Sequence, residues 1–179
     1  MMRKFFTAFL IAVLLGTAVV HAQCQIDTSV PFASEFDTPL KHYNRAGTHL
    51  ATAGELKPED MAQLWDFGFD VVVDARPAEP DVVAAERKLV EDNGMLYYHL
   101  PYTDEGISEA DLAAFAALIH DPLEYRILLH CKLGNRAGAM LASYYLAAGI
   151  ERDAALMAGR AAGMRLDMEE ALIARLEPQ

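Results

Sequence analysis

Cys131 is one of only two cysteines among 179 residues, in the stretch "LLHCKLGNRAGAM" (128–140). Gly134 and Arg136 follow it closely, after an apolar run and before a helix-period segment. That order puts Cys131 at the C-terminal end of a buried strand, where open α/β sheets bind ligands. The backbone N–H groups of Lys132, Leu133, Gly134, Asn135 and Arg136 can curl around the sulfur as a nest at a helix N-terminus. This positive setting, reinforced by the Arg136 guanidinium and the Lys132 ammonium, is expected to lower the thiol pKa from about 8.5 and supply a thiolate. Gly134 permits the turn without a Cβ penalty. An anion in the nest would lie against the sulfur under the Arg136 fork, which is nucleophilic catalysis with its oxyanion site built in. The competing reading is a structural cysteine closing a core strand.

The elements that must hold this loop are those of an α/β domain, because short apolar runs alternate with amphipathic helices from residue 48 onward. "THLATA" is a candidate first strand, and Pro58 suits the first turn of a helix over 58–66. "DVVVDARP" contains a β-branched strand at 70–74, and residues 81–93 read as a helix stopped by Gly94. "MLYYHLPY" is a third strand, and Ser108 with Asp111 forms a capping box for "EADLAAFAALIH". "RILLHC" (126–131) reads as a strand at the buried centre of the sheet. Three further helices follow, in "RAGAMLASYYLAAG", "ERDAALMAGRAAG" and "MRLDMEEALIARLE".

The chain opens on "MMRKFFTAFLIAVLLGTAVVHAQ", two basic residues and then a sixteen-residue apolar run, Phe5 to Val20. This reads as a secretory signal cleaved after Ala22, being short of the ~20 residues that span a bilayer. Gln23 occupies the place where a lipoprotein signal wants a small residue, so lipidation of Cys24 is not expected. Residues 23–46 lack periodicity and read as an arm, leaving 47–179 as a single domain. Cleavage would leave 13 basic against 26 acidic residues, a formal charge of −13. Such a surface repels nucleic acid and anionic membranes, so a small anionic substrate needs a local positive pocket. Export to a secreted or periplasmic location implies an oxidising compartment. There Cys24 is a bystander thiol, half of a bridge to Cys131, or its redox partner.

"HCKLGNRAG" resembles the active-site loop of the cysteine-dependent protein tyrosine and dual-specificity phosphatases. "ELKPEDMAQLWDFGFDVVVDARPAEP" is similar to the preceding segment in the bacterial phosphatase-like domain of beta-lactamase-hydrolase-like proteins. "AGRAAGMRLDMEE" resembles a glycine-containing helical stretch near that family's end, so the resemblance spans residues 48–170. It implies the phosphatase-like α/β/α sandwich, a mostly parallel central sheet flanked by helices. It also implies Cys131 as nucleophile, Arg136 as oxygen ligand, and Asp104, twenty-seven residues upstream in "HLPYTDEGIS", as the general acid. Glu105 is the fallback acid, and Asp104 read alone is equally a solvated turn residue. His130 would orient the loop by hydrogen bonds. Arg76 matches a family position, either supporting the loop or pairing with Asp74 or Glu79.

Two details bear on the reaction. Tyrosine phosphatases place five residues between cysteine and arginine and follow the arginine with a hydroxyl residue; here Lys132 to Asn135 make four, and Ala137 follows. The shorter loop is that of rhodanese-type sulfurtransferases, and of the bacterial phosphatase-like family itself. Three functions therefore stand: a phosphate-monoester hydrolase working through a cysteinyl-phosphate, with phosphotyrosine protein among its candidate substrates; a sulfurtransferase carrying a persulfide on Cys131; and a non-catalytic anion- or partner-binding module. No cofactor is expected, and His42, His49, His99 and His120 show no metal-ligand spacing.

Overall fold

The computed structural model describes residues 40–177 together with Ile26 and Thr38. The signal segment, its cleavage point, Cys24 and most of the arm lie outside the described residues. The β-branched and leucine-rich runs form a sheet from β1 (Asn44–Arg45), β2 (Leu50–Ala53), β3 (Val71–Asp74), β4 (Leu96–His99) and β7 (Ile127–His130). A two-stranded hairpin of β5 (Tyr102–Thr103) and β6 (Gly106–Ile107) stands apart from it. The sheet order is β1-β2-β7-β3-β4, parallel except for the antiparallel edge pair β1/β2. A mostly parallel sheet must be covered on both faces, and this one is.

The helices are α1 (Met61–Asp66), which follows a 3-10 turn at Pro58–Asp60, α2 (Pro80–Asp92), α3 (Glu109–Ile119), α4 (Asn135–Ala147), α5 (Arg152–Ala161) and α6 (Leu166–Leu176). Met61, Leu64 and Val90 of α1 and α2 pack with Val72 and Leu128 on one face. Phe115, Met140, Leu141, Leu156 and Leu172 of α3 to α6 pack with Val71, Val73, Ile127 and Leu129 on the other. The alternation along β7 fixes which side chain faces which layer. It turns Cys131 toward α4 and His130 toward α2.

The α/β/α sandwich read from the sequence is the architecture. Two local readings are corrected. The segment called an arm through residue 46 already contains the edge strand β1. "MLYYHLPY" is two elements: Pro101, with no N–H, interrupts the run, although the Leu100 and Tyr102 amides still donate to Asp74 and Ala75 carbonyls at the end of β3.

Candidate active site

Cys131 is a free thiol one residue beyond β7, at the centre of the sheet. It is only 1% exposed, whereas Lys132 is exposed and Leu133 is 43% exposed. The Cys131 side chain therefore packs in the apolar layer on the α4 side, below its exposed neighbours. α4 starts four residues later and has no side-chain N-cap, because its N-cap position is Gly134 at φ 79°, ψ −16°. A helix N-terminus leaves its first amides without intrahelical acceptors, and here no side chain caps them. A residue with a Cβ would be strained at that φ. Arg136, in the first turn of α4, has its Nε buried with no hydrogen-bond partner. A buried unpaired donor costs about 1–3 kcal/mol, so it marks a place prepared for an acceptor.

Asp104 lies in the β5–β6 turn, its side chain 98% exposed, with Oδ1 3.6 Å from Arg136 Nη2. The structure thus brings Asp104 and Arg136 together; Glu105, the fallback acid, points its amide at the Thr103 hydroxyl. What holds this hairpin was not visible in the sequence. Arg175 of α6 donates from Nη1 to the Asp104 carbonyl at 3.0 Å and from Nη2 to the Tyr102 hydroxyl at 2.7 Å. Its guanidinium also lies over the Tyr102 ring. In the sequence Arg175 carries no signal beyond its place among the polar residues of the last helix.

Beneath the loop, on the α2 side, is a buried polar cluster. Arg76 donates to both oxygens of Asp74, at 2.9 and 2.8 Å, and also to Glu86. The Tyr97 hydroxyl donates to Asp74 at 2.9 Å. Burial would raise the Asp74 carboxyl, but hydrogen bonds from Arg76 and the charges of His130 and Arg76 hold it below its ordinary value. Burial and the Asp74 and Glu86 charges push the Tyr97 hydroxyl up. Burial alone would lower Arg76, yet its Asp74 hydrogen bonds and the two carboxylate charges raise it.

This cluster corrects two expectations. The second partner of Arg76 is Glu86, one of the two buried residues of α2, and not Glu79. His130 does not hydrogen-bond the loop; its Nε2 lies 2.8 Å from Glu86 Oε1 and 3.8 Å from Asp74 Oδ1, misaligned for a hydrogen bond to either. Asp74, Glu86 and His130 offer ligand atoms within 4.8 Å of one another, a cation-sized arrangement. The Arg76 guanidinium already sits on both carboxylates and supplies that positive charge.

Neighbouring segments brace the loop closely. The Glu55 amide donates to the Lys132 carbonyl at 3.1 Å, and the Gly54 amide to the Lys41 carbonyl at 2.7 Å. Asn135 accepts the Arg165 amide at 2.8 Å and donates to Asp167 at 3.2 Å. Thr52 donates to the Ala162 carbonyl at 2.7 Å, tying β2 to the α5–α6 turn. A cavity of about 450 Å³ bordered by Leu50, Ile119, Tyr125 and Ile127 opens at the opposite ends of β2 and β7, away from this chemistry.

Residues 43–148 match the model of the beta-lactamase hydrolase-like protein, phosphatase-like domain. The chain belongs to that family. Solved structures share the fold. A DUF442 protein of Shewanella putrefaciens, provisionally named a phosphatase, is 24% identical with a TM-score of 0.60, over 76% of this chain and 87% of its own. A similarly named protein of Neisseria meningitidis is 26% identical with a TM-score of 0.59, over 73% and 96%. TpbA of P. aeruginosa is 22% identical with a TM-score of 0.61, over 85% and 94%. No relative was found among curated proteins. This phosphatase-like domain places Cys131, Arg136 and Asp104 around one strand end.

Proposed function

We propose that the protein hydrolyses phosphate monoesters through a cysteinyl-phosphate. The observation that carries this reading is the buried, unpartnered Arg136 Nε in the first turn of a helix with no side-chain cap, five residues after Cys131. The Cys131 sulfur attacks phosphorus, and the P–O bond to the leaving group breaks. Asp104 gives that oxygen its proton, then takes one from the water that cleaves the S–P bond and regenerates the thiolate. Arg136 and the loop amides hold the phosphoryl oxygens, whose charge is spread in the transition state. Asp104 is within reach because its carboxylate already pairs with Arg136. A related structure of TpbA was solved with bound phosphotyrosine, which supports a monoester as the class. Cleavage after Ala22 would place the mature enzyme outside the cytoplasm.

The test is hydrolysis of an aryl phosphate by the mature chain. Cys131→Ser should abolish turnover, and Asp104→Asn should slow an alkyl phosphate far more than an activated aryl ester. An active Cys131→Ser protein would end this reading. One observation favours sulfur transfer instead: only four residues separate Cys131 from Arg136, and the next residue, Ala137, is fully buried and carries no hydroxyl. Brisk thiosulfate-to-cyanide transfer, with Asp104→Asn silent, would establish that alternative.

A further inference from the structure

The chain is strongly acidic, yet its cations are not evenly engaged. Among the described residues, three Lys or Arg side chains have neither a hydrogen-bond nor an ion-pair partner: Lys41, Lys132 and Arg165. The three come from distant parts of the sequence. Their backbones meet at the Cys131 loop. Lys132 is in it. Lys41 is joined to it through Gly54, whose amide bonds the Lys41 carbonyl and which bridges to Leu133. Arg165 is joined through its amide to Asn135. All three side chains are exposed. The turn that carries Lys41 is held in place by His42 at φ 54°, with its side chain against Gly54 and Gly134.

Three carboxylates also border this rim, one of them paired with a cation and two keeping their charge, so the three free cations outnumber the uncompensated carboxylates by one. Asp104 pairs with Arg136, and Asp167 accepts from Asn135; Glu55 is exposed. A cradle for a single phosphoryl group uses the loop amides and Arg136. Three further unpaired cations exceed that need, and against a net charge of −11 they make this rim locally favourable to more negative charge. An aryl ester would instead call for an aromatic wall; the rim here sets Lys41, His42, Lys132 and Arg165 beside two exposed aliphatic side chains, Leu133 and Leu166.

We propose that the substrate is a small molecule carrying two or more phosphate groups, one in the Cys131 cradle and a second held by Lys41, Lys132 and Arg165. This rests on the phosphomonoesterase reading for the first phosphate only. Long flexible side chains give a charge-based contact, tolerant of ester geometry and weakened by salt.

Binding to the full Cys131→Ser chain, read by calorimetry, tests it without turnover. The probes are fructose 6-phosphate, fructose 1,6-bisphosphate and phosphotyrosine. The bisphosphate should bind about tenfold or more tightly than the monophosphate, an advantage that shrinks at high ionic strength. Adding Lys41→Gln, Lys132→Gln and Arg165→Gln should bring the two sugar phosphates within about threefold of each other. Adding Lys88→Gln, on α2 and paired with Asp92, should leave that ratio unchanged. A bisphosphate advantage that is missing, or that survives the triple substitution, overturns the proposal. So does phosphotyrosine binding more tightly than the bisphosphate. If no phosphate ligand binds at all, the cradle reading itself falls, and the aryl phosphate assay on the wild-type chain reports that failure separately.

Discussion

At the scale of single residues, function and stability pull against each other at Arg136. Its buried Nε donor has no partner and its pair with Asp104 is at the surface, so the guanidinium contributes little to folding in the ligand-free molecule. Replacing it with lysine keeps the charge and removes both the Nε–H and the planar fork that matches a phosphoryl face. Arg136→Lys should therefore lower kcat/KM on an aryl phosphate by about a hundredfold or more, with no loss of melting temperature. A variant that keeps its activity would remove Arg136 from the oxyanion site. The local motif was legible because Cys131, Gly134 and Arg136 lie within six residues and need only a strand and a helix around them. Of the two partners expected for Arg76, Asp74 is found, whereas Glu79, favoured by closeness in sequence, gives way to Glu86. Helical spacing pointed to Glu86, which lies four residues before Val90 on the buried face of α2.

At the scale of elements, two contacts between distant segments set the site, and neither has a sequence signature. α4 and α5 approach so closely that a methyl at Gly138 would stand 2.3 Å from the Met164 nitrogen and 2.5 Å from the Gly159 carbonyl. These are backbone atoms with no rotamer to yield, so Gly138→Ala should cost about 3 kcal/mol in urea denaturation. Gly149→Ala, where nothing lies within 4 Å, should cost about 1 kcal/mol for its φ of 80° alone. Equal losses at the two positions would disprove the close-packing account. The second contact is Arg175 to the β5–β6 hairpin, which makes Arg175 a positioning residue for Asp104. Arg175→Ala should lower kcat about tenfold for an alkyl phosphate and little for an activated aryl ester, with KM nearly constant and Arg175→Lys partly restoring the rate. A uniform loss on both substrates would indicate that only folding was damaged. Strand and helix types were legible from periodicity along most of the chain. The hairpin was not, because Pro101 divides an apolar run that continues on both sides.

At the scale of the molecule, the sheet separates two apolar layers, and one of them contains a charged plug under the Cys131 loop. Asp74 from β3, Arg76 just beyond it, Glu86 from α2, Tyr97 from β4 and His130 from β7 meet there. A buried ion cluster is a weak source of net stability, but removing one member leaves the others unpaired. The cluster therefore links the C-terminal ends of β7 and β3 to the edge strand β4, and its stability must depend on pH at both extremes. Asp74 is held below its ordinary value, so its contribution is complete above about pH 4 and is lost as pH falls through the native pKa. Tyr97 is pushed above its ordinary value. Its contribution is complete below about pH 10, and stability declines above that, because the unfolded hydroxyl ionises while the native one stays protonated. Urea unfolding of wild type and Tyr97→Phe from pH 7 to 11 isolates this second arm. The variant should be less stable by about 1–3 kcal/mol near pH 7, having lost a hydrogen bond to a buried carboxylate. Its deficit should then narrow above pH 10, with a limiting slope of about 1.4 kcal/mol per pH unit. Two parallel stability curves would show that Tyr97 ionises in the folded protein as it does in the unfolded chain, and that the plug does not bind the strands together.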